Sequence, residues 1–139
     1  MPAIFPTIFE KHPLRYLWGF KYDSDLNGID IHADFAAVNV NFWITPDEAN
    51  RDAQGGGLVI WNKAAPLEWD FAKFNADESA AHAFLEEQGA TTVTVPYRAN
   101  RAVVFNSDLF HETDDVTFRD DYLSRRINIT LLYGYRHQT

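Results

Sequence analysis

From Ala37 to Ile44 the chain alternates strictly, with Val38, Val40, Phe42 and Ile44 interleaved by Ala37, Asn39, Asn41 and Trp43. A period of two belongs to a β-strand, whose successive side chains point to opposite faces of a sheet. The alternation returns near the C-terminal end, where Arg126, Asn128 and Thr130 share one side and Ile127, Ile129 and Leu131 the other. Each strand thus has a polar and a greasy face. Two arrangements satisfy the pattern. Either the polar faces meet water, as in a half-exposed sheet, or they line a cavity between two sheets. In the second case the greasy faces point outward and need a cover, which Ile4, Phe5, Ile8, Phe9 and a helix would partly supply.

Further β-rich runs recur at 16–22, 29–34, 58–61, 91–95, 102–105 and 109–113, and the last strand is expected over 126–135. Only 77–88 breaks the pattern: Ala80, Ala81, Phe84 and Leu85 recur at helical spacing, and Gly89 supplies a stop. Gln54-Gly55-Gly56-Gly57 and the Pro66 region interrupt the chain as loops. Eight short strands with turns between them predict a mainly β sandwich or jelly roll with one short helix. No repeat or linker divides the sequence, so a single domain over 1–139 is expected.

The chain has no cysteine, which removes disulfides, thiolate zinc sites and cysteine nucleophiles, so a metal would be held by histidine and carboxylate. A formal charge of −8 argues against general nucleic-acid affinity. No apolar run is long enough to span a bilayer and the first residues do not read as a signal peptide, so a cytoplasmic location is the simplest expectation. The outward greasy faces predict a homodimer or docking onto a partner domain.

In Ile31-His32-Ala33-Asp34, the histidine and aspartate are two apart on an expected strand and project from one face. His111, on a later expected strand, can supply a third ligand if a jelly roll brings the two strands together. Two imidazoles and one carboxylate on one side of a metal leave three positions open, which suits non-haem Fe(II) oxygen chemistry. Downstream of His111, Arg126 offers a planar fork matched to a carboxylate, with Asn128 on the same face. Arg125 falls with Ile127 on the other face, although a one-residue bulge at the strand start would exchange the two arginines.

The His-x-Asp pair, the distal histidine and the following Arg-x-Asn resemble the 2-oxoglutarate/Fe(II)-dependent dioxygenase superfamily. More closely, HADFAAVNVNFWITPDEAN, GGGLVIW, WDFAKFN, YRANRAVVFNSDLFHETD and RRINITLLYGYR look like bacterial oxygenase domains that are sometimes joined to tetratricopeptide repeats. The resemblance implies a double-stranded β-helix, the cupin-like jelly roll, with iron at His32, Asp34 and His111. It also implies the distal carboxylate of 2-oxoglutarate at Arg126 with Asn128 as its small polar partner. Dioxygen is then the second co-substrate, and hydroxylation of an unactivated carbon, with release of succinate and carbon dioxide, is the expected reaction. The substrate would be a small molecule, an amino acid or a peptide side chain. Oxygenases of this kind usually pack longer helical segments on one sheet before the first strand, which here is expected already at Tyr16.

Other polar residues carry weaker expectations. Asn41 is placed to hydrogen-bond the 2-oxo acid or the substrate, and Asp108 and Glu112 flank His111 as candidates to orient its ring. Trp43 and Trp61 read as core or cavity wall, His12, His82 and His137 as solvated residues, and the triple glycine as a turn. Arg98, Arg101, Arg119, Arg125 and Arg126 crowd the last third of the chain and could form one anion site. The rival to an enzyme is a non-catalytic cupin-like binding or assembly domain that retains a metal site.

Overall fold

The computed structural model describes residues 3–22 and 28–136. Their regular elements, in chain order, are α1 (Pro6–Phe9), β1 (Leu14–Lys21), β2 (Val38–Trp43), β3 (Leu58–Ala64), α2 (Phe71–Ala76), α3 (Glu78–Glu87), β4 (Thr92–Val95), β5 (Ala102–Asn106), β6 (Leu109–Thr113) and β7 (Ile127–Tyr133). The strands form two antiparallel sheets, a larger one in the order β1-β7-β2-β5 and a smaller one in the order β4-β3-β6. The protein is mainly β, as its alternating sequence predicts.

The expected strand over 29–34 contracts to one bridge between His32 and His111. The reason is a change of partners. His32 and His111 exchange both backbone hydrogen bonds, but the next amide, of Ala33, donates to Phe74 and that of Asp34 to Ser107. The chain thus leaves the edge of β6 immediately after the first histidine. Similarly, β7 ends at Tyr133 rather than Tyr135, because Gly134 turns the chain at a φ of 68°.

Three helices replace the single one expected. α3 matches its sequence signals closely, with Asp77 accepting from the Ala80 amide at the start and Gly89 at a φ of 57° after the end. α2 repeats the logic one turn earlier: the Asp70 carboxylate caps the Lys73 amide, and Phe74 is buried on the inward side. α3 also covers a different sheet from the one expected. Ala81, Leu85 and the half-buried Phe84 pack with Phe110, Phe74 and Trp61 against the outer side of the smaller sheet. The outer side of the larger sheet is covered by Phe9, which meets Tyr133 edge-on at 4.6 Å and joins Val38 and Val40. Ile4, Phe5 and Ile8 remain exposed.

Between the sheets, Trp43, Leu58 and Tyr97 form an apolar core with Ile60, Val95, Val103 and Phe105. Beside it, the inward set of β2 and β7 presents Asn39, Asn41, Asn128 and Thr130, all buried. The polar faces of the two alternating strands therefore line an interior chamber. Among the described residues, no helix is long and apolar enough to cross a membrane.

Candidate metal centre

His32, Asp34 and His111 converge where the 29–32 segment meets β6. Their ligand atoms all lie within 4.8 Å of one another. The Nε2 atoms of His32 and His111 stand 3.8 and 3.4 Å from the two Asp34 carboxylate oxygens. Two observations set the ring chemistry. His32 Nδ1 lies 2.7 Å from the Asp30 carbonyl and His111 Nδ1 lies 2.9 Å from the Leu109 carbonyl. Each Nδ1–H donates to its own backbone two residues back, which leaves both Nε2 atoms facing the carboxylate. Asp108 and Glu112, expected to orient His111, do not. Asp108 is bonded to Arg136, and Glu112 alternates to the opposite face of β6, where burial raises its carboxyl pKa.

Electrostatics favour a cation at this point. Burial, aided by the neighbouring His111, pushes the His32 pKa down to about 4, so its ring is neutral at neutral pH and free to ligate. Burial works to raise the Asp34 carboxyl, but the His111 contact, the charge of both histidines and the Asn39 amide outweigh it, and the group titrates below the usual range. One carboxylate and two imidazoles, without a thiolate, form a donor set suited to a divalent transition metal with open positions.

A file of amides runs inward from the centre. Asn39 donates to Asp34 Oδ2 at 2.7 Å, and Asn41 donates to Asn39 Oδ1 at 2.7 Å. Thr130 reaches Asn41 Oδ1 at 3.4 Å, and Asn128 donates to Thr130 at 2.9 Å, with its own Oδ1 left without a partner. Asn41 and Asn128, expected at the cavity, are thus in it, and Asn39 and Thr130 join them. The amide at position 39 gave no sequence signal beyond its shared face with Asn41.

Arg126 precedes this file on the same strand face and is 1% exposed. The triple-glycine turn cradles it: Nε donates to the Gly56 carbonyl at 2.6 Å and Nη2 to the Gly57 carbonyl at 3.4 Å. A side chain at Gly57 would collide with the Val95 carbonyl, so only glycine permits this close approach. The Tyr22 ring lies 4.8 Å from the guanidinium carbon. Burial lowers the Arg126 pKa from its usual value, against the influence of Tyr22 and Tyr97. Among the described residues, Nη1 of Arg126 and Nε1 of the buried Trp43 have no hydrogen-bond partner. Two buried donors without acceptors invite an anion.

Of the other expected arginines, three are engaged elsewhere: Arg98 lines a separate cavity with Asp47 and Asn50, Arg101 donates to the Pro96 carbonyl, and Arg125 lies 5.8 Å from the exposed Tyr122 ring. Trp43 is fully buried and stacks on Tyr97, as a wall residue should. His12 is half-buried beside Gly134 rather than solvated, whereas His137 lies outside the described residues.

No protein-family model matches the chain, and no curated protein sequence matches it. Among solved structures, it is similar to an N-substituted L-amino acid dioxygenase from Burkholderia ambifaria, with 14% identity and a TM-score of 0.50. The match covers 84% of this chain and 48% of the dioxygenase, so this chain spans about half the length of that neighbour. At that identity the likeness speaks for the fold: the same two-sheet β architecture occurs in a dioxygenase.

Proposed function

We propose that the protein is an Fe(II)- and 2-oxoglutarate-dependent oxygenase built on a double-stranded β-helix. The observation that carries the reading is the convergence of His32, Asp34 and His111 at one end of a buried polar file that ends at Asn128, with Arg126 two residues before it on the same strand face and one of its donors unpartnered among the described residues. Topology supports the fold. If the 29–32 segment at the His32 bridge is counted as a second strand on the free edge of β6, the sheets run 1-8-3-6 and 2-7-4-5 in chain order. That order is the one two Greek keys produce in a jelly roll.

The residues fit the two groups. His32 Nε2, His111 Nε2 and Asp34 would hold the metal, and the Arg126 fork with Trp43 Nε1 would take the far carboxylate of the co-substrate. Bound iron and 2-oxoglutarate would supply an oxidant able to hydroxylate an unactivated carbon, with succinate and carbon dioxide released. The protein's own part is positional. Asn39 orients the Asp34 carboxylate, the two backbone carbonyls fix both ring tautomers, and the buried amides exclude bulk water from the inner chamber. The substrate would approach from the side away from Arg126.

The test has three readings. Purified protein should bind one ferrous ion per chain, and His32→Ala, Asp34→Ala or His111→Ala should abolish tight binding. Addition of 2-oxoglutarate without oxygen should give a visible charge-transfer absorbance. With oxygen, succinate should accumulate. Undiminished iron affinity in all three variants would falsify the metal assignment, and iron binding without absorbance or succinate would favour the non-catalytic binding domain.

A further inference from the structure

The inner chamber meets a second, wider cavity of about 410 Å³ at His32 and Asp34. Its remaining wall is Trp18, Phe20, Ile29, Phe35, Phe71 and Asn75. The rings form a continuous surface rather than separate posts. Tyr16 stacks on Trp18 with centroids 5.4 Å apart and planes within 8°, Phe35 meets Tyr16 edge-on at 5.0 Å, and Phe71 meets Phe35 edge-on at 5.4 Å. Trp18 and Phe71 are nonetheless 37% and 51% exposed. Large rings left open beside a candidate reaction centre form a ready surface for an apolar ligand.

What the wall lacks is as informative. Among the described residues no lysine or arginine lines this cavity, and residues 23–27, Asp-Ser-Asp-Leu-Asn, contain none. The cations nearest in sequence are engaged elsewhere: Lys21 sits 3.1 Å from the Tyr122 ring centroid, Arg15 3.7 Å from that of Tyr135 and Lys73 4.5 Å from that of Trp69. Among the described residues the one carboxylate in the wall is Asp34, which the oxygenase reading gives to the metal. A substrate carboxylate here would lose water and gain no cation from the wall side chains.

Resting on the oxygenase reading, we propose that the substrate presents an uncharged aromatic ring, stacked along Trp18 and Phe71, to the metal, and carries no carboxylate within the cavity. This excludes a free amino acid bound through its carboxylate at this wall. An uncharged ring can come from a free small molecule or from a peptide side chain.

Three probes share the chemistry and differ in charge and source: p-cresol, N-acetyl-L-phenylalaninamide and N-acetyl-L-phenylalanine. Their affinities are read by NMR titration of the full chain, alone and with Fe(II) and 2-oxoglutarate in the absence of oxygen. The uncharged probes should bind at least about tenfold more tightly than the carboxylate, and Trp18→Ala or Phe71→Ala should weaken them by about three- to tenfold. Phe71→Arg, at a half-exposed helix start that tolerates change, should reverse the preference toward N-acetyl-L-phenylalanine. Equal affinity of p-cresol and the amide assigns a free small molecule, and a clear preference for the amide assigns a peptide-borne ring; both support the uncharged-ring assignment. Tighter binding of the carboxylate, no binding of either uncharged probe, or affinities indifferent to both alanine variants would overturn it. The charge-transfer absorbance in the loaded sample reads the oxygenase assignment separately, so each can fail without the other.

Discussion

Arg126 is the residue whose surroundings demand the most explanation. Among the described residues it meets backbone carbonyls and aromatic rings but no carboxylate, although a buried cation is costly unless its charge is met. A co-substrate carboxylate would meet it. Because a charge-assisted bidentate contact contributes about 1.5–3 kcal/mol, Arg126→Ala should weaken 2-oxoglutarate about tenfold to about 150-fold while iron binding persists. Arg125→Ala should do much less, and anaerobic titration of the charge-transfer absorbance for both variants checks the difference. Asn39 makes a second prediction at this scale. Its amide fixes the Asp34 oxygen that faces His111, so Asn39→Ala should lower metal affinity by about ten- to a hundredfold. Asn41→Ala, one hydrogen bond further out, should cost less; equal effects in a metal-competition assay would break the proposed gradation. Strand parity alone places Asn128 and Asn41 on the cavity side and Arg126 on the same strand face as Asn128, because alternation is a property of the backbone and needs no knowledge of the partner strand. The histidine partners were not legible in the same way. Both rings bond to their own backbone two residues back, a local geometry that no residue type announces.

At the scale of elements, the closing end of the larger sheet is tied to the helical layer by one side chain that the sequence did not single out. Arg136, just beyond β7, is bonded to Asp108 and donates to the carbonyls of Trp69, Ala65 and Pro66, while its guanidinium lies 4.1 Å from the Phe74 ring centroid. It thereby joins the β5–β6 turn, the loop after β3 and α2. Deleting one partner of a buried ion pair typically costs about 3–5 kcal/mol, so Arg136→Ala should lower the thermal midpoint markedly. In a double-mutant cycle with Asp108→Asn, the two losses should be far from additive; additive losses would show that the pair is not the tie. Elements with their own local signals were readable in advance. Asp77 and Gly89 bracket α3 within a residue, and the alternation of 37–44 gives β2. Elements defined by what they touch were not: the 29–34 run has strand composition, but its amides are taken by Phe74 and Ser107. The same limit explains why α3 was assigned to the wrong sheet. Periodicity reveals that a helix has an apolar face, not which face of the fold will receive it.

For the whole molecule, the consequence of turning both polar strand faces inward is that the greasy faces of β2 and β7 turn outward. Antiparallel register lines Leu17, Leu131, Val40 and Val104 into one row across the larger sheet, with Ile129 and Phe42 in the next. Phe9 buries only one end of this surface. Leu17 and Ile44 are 59% and 44% exposed, and Ile8 on α1 and Ile4 and Phe5 just before it stand open where the cover begins. Apolar area arranged in contiguous rows is expected to associate, because water is released from both copies at once. The outward greasy strands predict a homodimer or docking onto a partner domain, and we propose that the isolated protein takes the first course and self-associates through this face. Light scattering and native mass measurement across a concentration series should report a species heavier than one chain. Leu17→Lys and Ile129→Lys, which place charge at the β1 end of the first row and within the second, should return it to the monomer without removing iron binding, since neither side chain faces the chamber. A monomer at every concentration, or an assembly indifferent to both substitutions, would mean that the rows are stable in water or that association uses another surface.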